Sequence, residues 1–182
     1  MSKKLSEMTL EELWQLFPIF LTEHKPYWGN WYEEEVAELK GILPFEAEYH
    51  HIGSTAIKGI WAKPIIDILI VVSSENQLKI TAGILQKNGY IIMSENEKRI
   101  SLNKGYTENG FADRVFHLHL RLENDKDEIY FRDYLNAHSE IAEEYEKLKL
   151  ELWKKFEHNR DAYTDAKTEF VKRYTEIAKR ES

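Results

Sequence analysis

The chain has 182 residues, with 32 acidic and 25 basic side chains, a formal net charge of −7 at pH 7 and no cysteine. This balance argues against general nucleic-acid binding, which needs a basic footprint, and the lack of cysteine excludes disulfides and thiol catalysis. The N-terminus lacks the apolar core of a signal peptide, and no apolar run approaches the ~20 residues that span a bilayer. We therefore expect a cytoplasmic protein without a membrane segment.

The first 42 residues predict a helical segment. A helix is expected over 8–22, because Thr9 can cap it, acids follow early and an apolar stripe runs to Phe20. A second helix is expected from about Asn30 to Gly41, with acids in its first turn and a glycine stop.

The middle of the chain, residues 43–122, predicts a small mixed sheet. One helix is expected after Ser74, and KGYTENG at 104–110 has the composition of a loop. Strands are expected at 45–52, 64–72, 90–93, 99–102 and 113–120, and the helix at 75–87. A βαβ crossover from 64–72 to 90–93 is one way to connect them.

Residues 128–180 predict helices. A short one covers 130–135, and two amphipathic helices begin near Ser139 and Asp161, joined closely enough to pack as an antiparallel pair. The whole chain is expected to form one α+β domain, a small mixed β-sheet flanked by helices with a C-terminal antiparallel helix pair.

The run from Ile65 to Val72 contains the strongest indication of a functional site. It is apolar and β-branched, as in a strand covered on both faces, yet it includes Asp67. A carboxylate in that setting is costly unless something pairs with it. Asp67 could bind a divalent cation, or it could be a buried acid paired with a base.

A small-residue turn precedes this strand. Gly53, Ser54 and Thr55 offer backbone amides and hydroxyls that suit a phosphate group. The alternative is an ordinary turn in which Ser54 or Thr55 caps a helix. His51, directly before the turn, is a further candidate for the pocket.

His117 and His119 share one face of the strand expected at 113–120. Neutral imidazoles at this spacing are a candidate pair of metal ligands, with Asp67 as the third ligand. The alternative is one histidine packed in the core and one that is hydrogen-bonded.

Basic residues flank the region and could bind an anion as a group, although any one of them is more often a surface charge than a ligand. They are Lys63, Arg99, Lys104, Arg114 and Arg132.

The segment HIGSTAIKGIWAKPIIDILI resembles the signature of the GrpB family. The resemblance continues in PYWGNW, RVFHLHL, FRDYLNAH, YEKLK and the late Tyr163, Ala166-Lys167 and Phe170, and it covers most of residues 26–175. The Gly-Ser turn is similar to that of the polymerase-beta-like nucleotidyltransferases, where Gly-Ser holds a nucleoside triphosphate and a following strand carries Asp-x-Asp for metal ions. The resemblance implies a nucleotidyltransferase-like fold.

Two departures from the nucleotidyltransferase pattern bear on the reaction. Leu69 stands where the second acid of Asp-x-Asp is expected, and no third carboxylate is evident on a later strand. The smaller departure is His50, where an acid is expected before His-Ile-Gly-Ser. The first hypothesis is transfer of a nucleotidyl or related phosphoryl group from a nucleoside triphosphate to a small acceptor, with one Mg²⁺ or Mn²⁺ at Asp67, His117 and His119. The alternatives are a nucleotide- or phosphometabolite-binding protein without catalysis, and a metal-dependent hydrolase built on the same three residues.

Overall fold

The computed structural model describes residues 3–182, which form six helices and five strands. The helices are α1 Leu10–Leu16, α2 Trp28–Ile42, α3 Glu75–Lys87, α4 Asp127–Ala137, α5 Ser139–Phe156 and α6 Arg160–Glu181. The strands are β1 Glu48–Ile52, β2 Ile65–Val72, β3 Ile91–Glu95, β4 Ile100–Thr107 and β5 Gly110–Leu122. Within these residues no helix combines the length and the apolarity needed to cross a membrane.

The five strands form one mixed sheet in the order β1-β2-β5-β4-β3. β2 and β5 run parallel, and the other neighbours are antiparallel. This confirms the predicted α+β architecture. The βαβ crossover from β2 to β3 is present, since α3 connects these two strands and they run parallel in the same sheet. The two strands are not neighbours, because β5 and β4 lie between them and β3 is the short, largely exposed strand at the far edge. The neighbour of β2 is β5, whose alternating apolar residues suit an interior strand.

The two faces of β2 have different neighbours. Ile66, Ile68 and Ile70 are fully buried in the main core, which includes residues of α2 and α3. Asp67 and Leu69 point to the opposite face, where Ile129 of α4 packs against Leu69. The alternation of one strand thus separates the core from the face that carries the candidate site.

Helices α5 and α6 pack as the expected antiparallel pair. Tyr145, early in α5, stacks on Phe170 in the middle of α6, with ring centroids 5.1 Å apart. Leu152, late in α5, shares a second cluster with Tyr163 at the start of α6. The chain reverses over residues 157–159, so α6 begins beside the end of α5.

The helix expected over 8–22 is shorter than predicted. Thr9 caps α1 as expected, since its side chain accepts a hydrogen bond from the Glu12 backbone. The helix ends at Leu16, however, because Pro18 disfavours the helical conformation at Phe17, which adopts φ −122° and ψ 65°. The following residues continue in an extended course, and Thr22 forms a β-bridge with Ala62.

The predicted loop at 104–110 is instead part of a hairpin. β4 continues to Thr107 and β5 begins at Gly110. The pairing register shifts at Gly105, whose φ is +103° and where an added Cβ would lie 2.5 Å from the Arg114 carbonyl oxygen. Gly105 therefore marks a bulge that bends the hairpin, and the glycine-rich composition was wrongly interpreted as a loop.

Candidate functional site

The turn after β1 lies directly against Asp67. Ile52, the last residue of β1, pairs with Asp67 on β2, and Gly53 opens a short 3₁₀ turn with φ +76°. A Cβ added to Gly53 would lie 2.4 Å from Asp67 Oδ2. Only glycine allows this approach, so the turn and the carboxylate form one structural unit.

Two histidines of β5 flank the Asp67 carboxylate. In the parallel register Asp67 pairs with His117, and His119 follows on the same face. His119 Nε2 donates to Asp67 Oδ1 at 2.9 Å, and His117 Nδ1 lies 3.6 Å from the same oxygen. Burial raises the pKa of Asp67, but the His119 hydrogen bond and the charges of nearby bases outweigh it and lower the pKa to about 2. Asp67 is therefore the anionic centre of the site at neutral pH.

The second nitrogen of His117 belongs to a hydrogen-bonded chain that reaches α6. Arg160 Nη2 donates to Tyr106 Oη at 2.6 Å, and Tyr106 Oη lies 2.6 Å from His117 Nε2. Burial lowers the pKa of His117 to about 3, so the imidazole is neutral at pH 7. A neutral imidazole accepts the Tyr106 hydrogen bond at Nε2 and keeps its proton at Nδ1, toward Asp67.

A cavity of about 330 Å³ separates these groups from the C-terminal helices. Gly53, Ser54, Asp67 and the two histidines line one side. Four basic residues also line it, namely Lys63 before β2, Lys149 of α5, and Arg160 and Lys167 of α6. The ion pairs of residues 3–182 involve other bases, so none of these four is paired with a carboxylate.

Tyr163 lies between two of these lysines. Lys63 Nζ is 5.0 Å from the centroid of its ring, and Lys167 Nζ is 4.7 Å from it. The Tyr163 side chain lines the cavity, is fully buried, and its Oη has no hydrogen-bond partner among the described residues. A buried hydroxyl without a partner costs free energy, and an oxygen-bearing ligand in the cavity would satisfy it.

Burial, with a smaller contribution from neighbouring positive charges, lowers the pKa of two of the lysines. Burial, together with the charges of Lys167 and Arg160, lowers the pKa of Lys63 well below its usual range. Burial also lowers the pKa of Lys149, which donates to the Trp61 carbonyl oxygen at 2.6 Å. An anion between these amines would favour their charged form again, so the cavity suits a negatively charged ligand.

The structure brings six of the expected site residues together, namely Gly53, Ser54, Lys63, Asp67, His117 and His119. His51 and Thr55 are not among them. Because Ile52 pairs with Asp67, His51 points to the opposite face and stacks on Tyr32 of α2. His51 Nε2 lies 2.9 Å from Thr55 Oγ1, and the Thr55 hydroxyl donates to the Ile65 carbonyl oxygen. Both residues therefore stabilise the turn from the side that faces away from the cavity.

Four expected anion contacts also lie outside the cavity. Arg99, just before β4, donates two hydrogen bonds of 2.7 Å to the Asp125 carboxylate. Lys104 pairs with the buried Glu35, and Arg114 pairs with Glu34, on the sheet face covered by α2. The cause is strand alternation, because Arg114 is an odd number of residues from His117. Arg132 lies in α4, where its guanidinium donates to the His51 carbonyl oxygen and holds the helix against β1.

Four residues that line the cavity were not among the expected site residues, namely Lys149, Arg160, Tyr163 and Lys167. One signal was available for Lys149, which lies four residues after Tyr145 and three before Leu152, on the apolar stripe of α5. A lysine at a core position of an amphipathic helix needs an explanation. Tyr163 and Lys167 belong to the family resemblance, but their helical spacing, like that of Arg160, is that of an ordinary helix face and indicates no site role.

The expected three-residue metal site is not formed in this arrangement. Over residues 3–182, no group of three or more His, Asp or Glu side chains is placed to hold a metal ion. The His119 nitrogen nearest to Asp67 uses its proton in a hydrogen bond, so its lone pair is not available there. Among residues 3–182, Asp67 is also the sole carboxylate that lines the cavity, which does not fit a pair of resident Mg²⁺ ions.

Comparison with known proteins identifies the family. The protein YqkA of Bacillus subtilis is 32% identical over 184 residues, covering 97% of this chain and 53% of YqkA, so the chain spans about half the length of that relative. The glutamate-rich protein GrpB of Alkalihalophilus pseudofirmus is 34% identical, covering 84% of this chain and 91% of that protein. The crystal structure of the conserved protein GrpB from Enterococcus faecalis aligns with a TM-score of 0.67 and 28% identity, covering 85% of this chain and 99% of the other. A family model described as GrpB protein matches residues 18–177, and the chain belongs to the GrpB family.

Proposed function

We propose that the cavity binds the phosphate chain of a nucleoside triphosphate and that the protein transfers the nucleotidyl group to a small acceptor. The main support is the set of four basic side chains that face Asp67 without a carboxylate partner of their own. Such a concentration of basic side chains without carboxylate partners is unusual in a chain of net charge −7, and a bound anion would favour the charged form of all four. Polyphosphate is the ligand chemistry that matches it best.

Each wall of the cavity has a distinct role in this proposal. Gly53 and Ser54 offer backbone amides and a hydroxyl to phosphate oxygens, in a turn where glycine permits close approach. Lys63 and Arg160 neutralise charge that develops on the phosphates during transfer. The Tyr163 hydroxyl, buried and unpartnered, donates to another phosphate oxygen.

The chain fits one metal ion that arrives with the triphosphate. Mg²⁺ is commonly bound through one or two carboxylates together with substrate phosphates, and Asp67 provides one carboxylate. Mg²⁺ or Mn²⁺ bound in this way would neutralise phosphate charge. His119 and His117 would then position Asp67 through its Oδ1 atom.

Calorimetric titration tests this assignment. ATP, GTP, CTP and UTP are titrated with and without Mg²⁺ or Mn²⁺ into the wild type and Asp67→Asn, which keeps the side-chain shape. We expect saturable binding that the metal strengthens, and we expect Asp67→Asn to abolish the metal-dependent gain. A variant that keeps the full gain would remove Asp67 from the metal site, and wild-type protein that binds no triphosphate would contradict the proposal.

A second candidate function is nucleotide binding without transfer. Leu69 at the position of the second acid favours it, because Asp67 is left as a single carboxylate in the cavity. The two functions differ in product formation. Steady release of pyrophosphate with an acceptor pool, lost in Asp67→Asn, supports transfer. Tight binding without pyrophosphate release across the acceptors tested supports the binding function.

A further inference from the structure

An apolar recess opens beside the phosphate cavity. Its volume is about 100 Å³, and its apolar walls are Phe17, Pro18, Phe20, Ile65, Phe111 and Val115. Lys63 and Arg160 line both the recess and the cavity. One ligand could therefore occupy both spaces, with its charged part among the bases and its apolar part in the recess.

The recess is built where α1 ends early. After Pro18 the chain runs extended, and the backbone N–H of Ile19 donates to the Glu157 carbonyl oxygen at 2.8 Å. The ring of Phe111 meets those of Phe17 and Phe20 edge to face, with centroids 5.1 Å and 5.9 Å away. Tyr106 contacts Phe17 on one side and His117 on the other, so it separates the recess from the Asp67 site.

We propose that this recess holds the base of the nucleotide whose phosphates lie in the cavity. The inference rests on the proposed function and adds the position of the base. Aromatic walls suit a planar unsaturated ring, because each nucleobase has a face that can stack on them. Phe20 remains 37% exposed, which leaves one aromatic surface free for such contact.

The size of the recess allows part of a base to enter. An apolar cavity of about 150 Å³ accepts benzene. At about 100 Å³ the recess is smaller, so it would enclose only the apolar edge of a six-membered ring. Lys63 and Arg160 line both the recess and the cavity, so they would lie between the enclosed ring and the phosphates.

A separate groove adjoins the cavity, since Gly53, Asp67 and Lys167 line both. Its walls combine charged and hydroxyl side chains, among them Glu128, Thr168 and Lys172, with apolar ones. The carboxylate and hydroxyl groups can hydrogen-bond a hydroxyl- or amine-bearing acceptor, so we assign the acceptor to this groove.

Comparison of inorganic tripolyphosphate with ATP and UTP tests the assignment, since the three share the phosphate chain and only two carry a base. Calorimetry with the wild type is expected to show both nucleotides binding about tenfold more tightly than tripolyphosphate. Phe111→Ala and Phe20→Ala are expected to remove most of that gain and leave tripolyphosphate affinity unchanged. Phe20→Ala alters a partly exposed ring, so it remains informative if Phe111→Ala does not fold.

Tyr130→Ala is the matched control, because Tyr130 is an aromatic residue of similar exposure, 39%, that does not line the recess. It is expected to keep the full gain. Equal affinity for tripolyphosphate and nucleotides in the wild type, or a gain that survives both phenylalanine variants, would overturn the base assignment alone. Failure of all three ligands to bind would overturn the proposed function itself, and the base assignment with it.

Discussion

Replacement of Gly53 by alanine tests the contact that joins the turn to Asp67. Gly53 has φ +76° and ψ −174°, a backbone region that is nearly restricted to glycine and costs other residues about 1–3 kcal/mol. The new Cβ would also lie 2.4 Å from Asp67 Oδ2, where ordinary contacts begin near 3.4 Å. Overpacking of this kind costs about 1–3 kcal/mol. Gly53→Ala is therefore expected to lower the free energy of unfolding by about 2–6 kcal/mol.

Urea unfolding of Gly53→Ala and a matched variant separates the two contributions. Gly59 has a similar φ of +78°, but an added Cβ there would meet nothing within 4 Å. Gly59→Ala should thus report the cost of a positive φ without a steric contact, and Gly53→Ala should show an excess loss from its contact with Asp67 and from its ψ of −174°. The double variant Gly53→Ala/Asp67→Ala should recover the part of that excess that the carboxylate causes. Equal losses in the two glycine variants, or no recovery in the double variant, would refute the close-approach argument.

The remaining predictions concern residues that the structure places behind the site. Lys104→Met leaves the buried Glu35 carboxylate without its cation, so the free energy of unfolding should fall by about 3 kcal/mol in urea, with nucleotide affinity unchanged. Weakened nucleotide binding by folded Lys104→Met would instead put Lys104 at the cavity. Burial lowers the pKa of His51 to about 4, below the value near 6.5 of an unfolded chain, so protonation favours unfolding and stability should decline as the pH falls from about 6.5 toward 4. His51→Gln should lose about 1–2 kcal/mol less stability than the wild type between pH 7 and pH 5, and parallel declines would contradict this.

The elements closest to Asp67 could be predicted because their signals are local. A carboxylate inside a run of β-branched residues, such as Asp67, is recognisable from the sequence as a candidate site residue. The alternation of a strand alone places His117 and His119 on one face. The same alternation shows that Arg114 lies on the other face, so its assignment to the cavity could have been avoided. Lys104 required the register of β4 against β5, which follows from the bulge at Gly105 and not from any short motif.

The basic wall of the cavity could not be predicted from the sequence. Arg160, Tyr163 and Lys167 have helical spacing, which is equally typical of a solvated face. Their role depends on how the chain reverses between α5 and α6, because the first turns of α6 then lie beside the sheet residues that line the cavity. Such packing between distant segments leaves no mark in local composition. The recess was hidden in a similar way, since its first wall exists because Pro18 ends α1 early.

The most direct test of the account is the affinity of tripolyphosphate for variants of the basic wall. Lys63→Met and Lys167→Met each remove one cation that lines the cavity, and Lys87→Met removes a lysine at the end of α3 as a control. Hydrogen bonds to charged groups are worth about 1.5–3 kcal/mol, so the account predicts a loss of roughly tenfold or more for each cavity variant and no loss for Lys87→Met. Binding that is absent in the wild type, or equal in all three variants, would contradict the claim that this cavity is a polyphosphate site.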